Sequence, residues 1–157
     1  MELSGLVAAS NDLKQRFEAR AIAEGIPFKR IARAHLDYRY EFEVEIPGSA
    51  EVRTAKVFWS ARHPDSPVTR IFGPEPVCRR HRNRSDTDWL VDLSLCLWFP
   101  QDEPEERWTI DGGLGQLRDL ATIHAFCEWR CSLGEDWPKR EAVAPHPRPV
   151  GCKACPR

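Results

Sequence analysis

The sequence predicts an α+β fold: a helix, an antiparallel meander, a long crossing segment and a second helix, arranged in two layers. Three patterns predict it. From Leu36 to Ile46, the apolar residues Leu36, Tyr38, Tyr40, Phe42, Val44 and Ile46 alternate with Asp37, Arg39, Glu41, Glu43 and Glu45. That is the period of a strand with one dry and one wet face. Ahead of it, Leu13, Phe17 and Ala21 recur at helical spacing. Far downstream, Leu117, Leu120, Ala121, His124 and Cys127 or Glu128 mark a second helical face.

Taken in order, the first helix runs for about four turns of 3.6 residues. Ser10 or Asn11 is placed to cap it, and Gly25, Ile26 and Pro27 to end it. Lys14, Arg16 and Glu18 fall on its wet side. After the strand at 36–46, Pro47, Gly48 and Ser49 form a turn, and Val52 to Trp59 returns as a hairpin partner. His63 to Pro67 interrupts, and Val68 to Phe72 supplies a further short strand, giving a meander of three or four strands. The stretch from Cys78 to Asp88 is polar and basic without periodicity, hence a loop. Trp89 to Phe99 is apolar and contains Cys96, and Gln101 to Glu106 is an acidic loop broken by Pro104. Asp111, Gly112 and Gly113 precede the second helix, roughly Leu114 to Ser132, which Gly134 stops. Beyond Pro138 the chain turns Pro-rich, so the expected division is one domain over 1–147 and a flexible tail over 148–157.

A chain of 157 residues, 41% apolar and 30% charged, is long enough for one buried core. A net charge of −1 argues against general nucleic-acid binding. No stretch approaches the roughly 20 apolar residues of a membrane span. The N-terminus lacks a basic start followed by an apolar run, so a cytoplasmic location is expected. There Cys78, Cys96, Cys127, Cys131, Cys152 and Cys155 are expected to be reduced, each a core filler, a metal ligand or a reactive thiol.

Four groups of residues carry candidate chemistry. Cys96 sits among Leu93, Leu95, Leu97, Trp98 and Phe99, as a buried thiol would, yet lies between two polar loops where a nucleophile can be presented. A thiolate suits acyl transfer because its thioester stays reactive toward amines. The basic run Arg79, Arg80, His81, Arg82, Asn83, Arg84 reads either as a solvated loop, as a phosphate contact, or as a dock for an acidic partner that also favours a nearby thiolate. Within it His81 is a candidate proton carrier and Asn83 a candidate oxyanion donor. Cys78 with His81, Cys127 with Cys131, and Cys152 with Cys155 offer zinc ligands, but no pair has paired-knuckle spacing, so neither metal nor cofactor is assigned. Trp108, Trp129, Trp137 and His146 read as core and tail-docking residues, while Trp98 beside the thiol suits partner contact.

Several of these pieces together resemble the bacterial relatives of ubiquitin-conjugating enzymes. They are His81 with Asn83, then Leu95-Cys96-Leu97 with Pro100, Trp108, the helix opening after Gly112-Gly113, and Gly134 with Trp137, Pro138 and His146. Pro64 and Pro67 ahead of the last strand fit as well. The resemblance implies a ubiquitin-conjugating-like (UBC-like) fold with a four-stranded meander and a cysteine, Cys96, that takes a protein C-terminus as a thioester. The nearest look is to the stand-alone conjugating proteins of antiphage (CBASS) operons. That implies a partner in a cGAS-like CD-NTase nucleotidyltransferase, whose C-terminus is the acyl donor, and a separate activating enzyme as a further candidate partner. Arg79, Arg80, Arg82, Arg84 and Trp98 then become partner-binding residues, with Asn83 and His81 assisting Cys96. Family members carry His-Pro-Asn shortly before the cysteine. Here the element is His81-Arg82-Asn83, without the Pro, and a polar insertion separates Asn83 from Cys96. Two other readings stay open: a non-catalytic binding module on the same fold, and a small zinc protein.

Overall fold

In a computed structural model the elements run α1 (Leu3–Ala23), β1 (Lys29–Ala34), β2 (Asp37–Glu45), β3 (Val52–Ser60), β4 (His63–Phe72) and α2 (Gly113–Ser132). The structure describes residues 3–73, 82–83, 86–90, 92–95, 97 and 107–135, with side chains from residue 8 onward. The four strands form one antiparallel sheet in the order β1-β2-β3-β4, each hairpinned to the next. The α+β layout expected from the sequence is present: a helix, a four-stranded meander and a later helix.

β2 shows why the pattern works. Tyr40, Phe42, Val44 and Ile46 are buried, and the intervening Glu41, Glu43 and Glu45 line the opposite face. Ala55, Val57 and Trp59 of β3 continue that dry face, as does Ile71 of β4. Both helices cover it. From α1 the Phe17 ring stacks on Trp59 with centroids 4.5 Å apart and meets Tyr40 at 5.0 Å and Trp108 at 6.0 Å. From α2, Leu114, Leu117, Leu120, Ala121 and Ala125 fill the rest. Gly113, at φ 50°, lets the helices approach, since a Cβ there would lie 2.2 Å from the Phe17 carbonyl oxygen.

Each helix ends in a Schellman turn. At α1, Gly25 N–H donates to Ile22 O and Ile26 N–H to Ala21 O; at α2, Gly134 N–H donates to Cys131 O and Glu135 N–H to Arg130 O. Both stops fall at the glycines read from the sequence.

Three expectations need correction. Ser10 does not cap α1, because the helix begins at Leu3 and Ser10 lies buried within it; residues 3–9 include Leu6, Val7, Ala8 and Ala9, which extend the helix backward. Glu18 is not on the wet side. It shares the buried face with Phe17 and Ala21, where it accepts Arg30 Nη1 at 2.8 Å and the Tyr40 hydroxyl at 2.7 Å. The segment His63–Pro67 does not interrupt the meander but belongs to β4. That strand is a sheet edge, and its register shifts between the Phe58–Val68 and Ser60–His63 pairs, so Pro64 and Pro67 sit where a missing N–H is tolerated. β1 was not anticipated by any periodicity, since all of its residues except Ile31 are exposed.

Candidate functional site

Downstream of β4, residues 82–83 and 94–95 tie the chain to the sheet. Residues 82 and 83 run antiparallel to 94 and 95: Arg82 bridges Leu95, Asn83 N–H donates to Ser94 O at 2.8 Å, and Leu93 N–H donates to Asn83 O at 2.9 Å. Leu95 N–H in turn donates to Thr69 O of β4 at 2.8 Å. Leu95 is buried and Leu97 packs against the same core. The backbone entering position 96 is therefore anchored to the sheet through main-chain hydrogen bonds, and its apolar flanks give it a dry underside.

Asn83 reaches this point with its side chain as well. Its Nδ2 donates to Ser94 Oγ at 2.9 Å and lies 3.5 Å from Leu95 O. The carboxamide is thus brought alongside the two residues that precede Cys96, despite the polar insertion between them in the sequence. Both N–H groups of the carboxamide are thus directed at Ser94 and Leu95, and it can serve an oxyanion only where one of these contacts is released.

Arg82 does not occupy the docking position expected of it. It is buried, and its guanidinium grips Glu128 of α2 as a fork: Nε to Oε1 at 2.6 Å and Nη2 to Oε2 at 2.9 Å. Glu128 is 0% exposed and also accepts Arg53 Nη1 at 3.2 Å. Arg53 extends to Glu51 at 3.3 Å. His124, one turn back on α2, lies 3.6 Å from Glu128 through Nδ1. Two guanidiniums and two carboxylates thus form a charge-balanced chain that leads from the interior toward solvent. Taking ions out of water costs several kcal/mol each, so the network holds only because its geometry returns that cost in hydrogen bonds.

Glu128 and Arg53 carry no motif, yet each had a signal. Arg53 falls in phase with Ala55, Val57 and Trp59 on the dry face of its strand, and Glu128 falls on the apolar face of α2. A charge at a core phase calls for a buried partner of opposite sign.

Cys96, His81, Arg79, Arg80, Arg84 and Trp98 lie outside the described residues, as do Trp137, His146 and the tail. Trp108 is core, its Nε1 donating to Gly113 O at 2.9 Å, and Trp129 packs against the core. Trp89 is 65% exposed and meets the Phe58 ring edge-on. Cys127 is buried and outside any disulfide, while Cys131 is disulfide-bonded, which departs from the expectation of six reduced thiols. Among the described residues no group of three His, Cys, Asp or Glu side chains is placed to hold a metal.

In comparison with known proteins, the chain matches no protein-family model and no curated protein.

Proposed function

We propose that this chain is a cysteine-dependent, ubiquitin-conjugating-like acyl transferase. The observation that carries the reading is the hydrogen bond from the Asn83 carboxamide to Ser94 Oγ, which places an N–H donor two residues before Cys96. The order of helix, four-stranded meander, crossing segment and helix supports it. So does the packing of both Leu95 and Leu97 against the core. In extended chain, alternate residues face opposite sides, and a solvent-facing thiol at position 96 is what the reading requires.

In the first step the Cys96 thiolate attacks the carbonyl carbon of an activated protein C-terminus. The C–S bond forms, the bond to the activating group breaks, and that group leaves with the electron pair. In the second step a lysine amine attacks the thioester carbonyl, a tetrahedral oxyanion forms, the C–S bond breaks, and the amine loses its proton to a base, for which His81 is the candidate. Asn83 serves the oxyanion. Its contact to Leu95 O, at 3.5 Å, is the weaker of its two and is the one to be released when the oxyanion forms. The acyl donor assigned by resemblance is the C-terminus of a cGAS-like nucleotidyltransferase in antiphage defence, with a separate activating enzyme where the carboxylate needs one. A cytoplasmic setting and the absence of membrane or nucleic-acid partners belong to the same proposal; among the described residues, no helix is long and apolar enough to cross a membrane.

One observation favours a second reading, a binding module without catalysis: Arg82 and Asn83 both spend their side chains on contacts within the chain. Mixing the chain with the nucleotidyltransferase and its activating enzyme separates the two. A thiol-sensitive adduct that disappears in Cys96→Ala supports transfer. An adduct that persists in Cys96→Ala overturns the assignment of Cys96, and binding without any adduct supports the module.

A further inference from the structure

We infer that Glu128 is a positioning residue for Asn83, acting through Arg82; this rests on the transferase reading above. Arg82 and Asn83 are consecutive, so their side chains leave the strand-like segment on opposite sides. Arg82 points inward onto a carboxylate with no solvent exposure, and Asn83 points to Ser94 and Leu95.

The two-point fork fixes the guanidinium in position and in plane, which a single contact does not. Arg53 takes the remaining capacity of Glu128 Oε2 and ties the carboxylate to β3. Residue 82 is thereby referenced to both α2 and the sheet, and the backbone carries that reference one residue on to Asn83. The pairing of Asn83 with Ser94 closes the frame around the chain entering position 96. An oxyanion donor must be held at hydrogen-bond distance, about 3 Å, from where charge develops, and with little positional freedom, so a clamp on its neighbour acts on the step that forms the oxyanion by aminolysis.

The test charges Cys96 with a synthetic peptide thioester by thiol exchange, which releases a small thiol, and then follows discharge onto free lysine, with Cys96→Ala as the blank. Asn83→Ala should slow discharge by roughly 100-fold, the usual effect of losing one oxyanion donor. Glu128→Gln should slow discharge at least tenfold while charging stays near the wild-type rate. The double variant should be no slower than Asn83→Ala, because the two act through one group. Arg82→Lys, which keeps the charge and loses the fork, covers the case in which Glu128→Gln does not fold, and should show the same selective loss. The Asn83 side-chain amide resonances should be well dispersed in wild type and move in Glu128→Gln and Arg82→Lys.

A reading in which the network only stabilises the fold is separated by replacing all three partners with apolar residues (Arg53→Met, Arg82→Met, Glu128→Leu). Recovery of melting temperature with discharge still slow supports positioning. Recovery of both overturns it. Wild-type discharge in Glu128→Gln, or independent multiplication of its effect with that of Asn83→Ala, also overturns it. A wild-type Cys96 that cannot be charged at all overturns the transferase reading and, with it, this one.

Discussion

Phe17 is the residue on which the two layers depend most visibly, and its removal gives a graded test of the fold. It is 0% exposed, stacked on Trp59 and in ring contact with Tyr40 and Trp108. Truncating a core Phe to Ala costs about 3–5 kcal/mol, combining lost transfer energy with an imperfectly filled cavity. The Trp59 stack places Phe17→Ala in the upper part of that range, since aromatic pairs add about 0.5–1.5 kcal/mol beyond area. At about 2–4 °C per kcal/mol for a domain of this size, melting should fall by roughly 8–20 °C. Urea unfolding followed by far-ultraviolet circular dichroism should show a lower midpoint with an unchanged slope. Ile22→Ala on the same helix is the control: at 63% exposed it should cost no more than about 0.5 kcal/mol. If Phe17→Ala costs less than about 1 kcal/mol, or no more than Ile22→Ala, α1 does not pack through this face and the two-layer description fails.

The remaining predictions probe other parts of the frame. Burial, and then the hydrogen bond to Glu18, raise the Tyr40 pKa above its ordinary value of 10.0. Because the folded pKa exceeds the unfolded one, this contribution to stability is complete below about pH 10 and is lost as pH rises beyond it. In a Tyr38→Phe background, where Tyr40 is the sole tyrosine, phenolate absorbance should therefore appear only together with unfolding; a rise within the folded chain near pH 10 contradicts the buried network. Gly113→Ala, whose Cβ meets the Phe17 carbonyl, should cost at least about 2 kcal/mol. Gly25→Ala, also at positive φ but with nothing within 4 Å, should cost only about 1–2 kcal/mol, and equal losses at the two sites would rule out the close helix approach. Glu128→Gln leaves two buried guanidiniums against a neutral amide and should destabilise by about 3–5 kcal/mol; thermal melting that finds less than about 1 kcal/mol refutes the buried pairing.

The fold was legible where one period dominated. β2 alternates without exception, so its dry face could be assigned residue by residue, and the glycines at 25 and 134 announced both helix ends. β1 was not legible because an exposed edge strand has no dry face to impose alternation. The start of α1 was missed because a good capping residue, Ser10, does not cap when strong helix formers precede it. β4 was cut short because two prolines read as breakers, although at a sheet edge their missing N–H groups cost little. In the site, Arg82 looked like one of four equivalent arginines in a basic run; only the position of Glu128 in space distinguishes it. The same holds for Asn83, whose separation from Cys96 in the sequence gives no hint of the Ser94 contact. Charges at apolar phases were the signal: Glu128 was read on the dry face of α2 without a partner, and Glu18 and Arg53 were passed over.

The antiparallel meeting of Asn83 with Ser94 has a consequence for how this chain can change. The chain leaves and returns there at paired main-chain hydrogen bonds, and between them Trp89 is tied to the sheet by its edge-on contact with Phe58 and by Arg70 Nη1, which donates to its carbonyl oxygen. Closing a flexible loop twice as long costs only about 0.6 kcal/mol more. The stretch between the Asn83 and Trp89 anchors can therefore change length at small cost. It is also an address: a reporter, an affinity handle or a partner's recognition sequence can be placed there while the segment leading into Cys96 keeps its register.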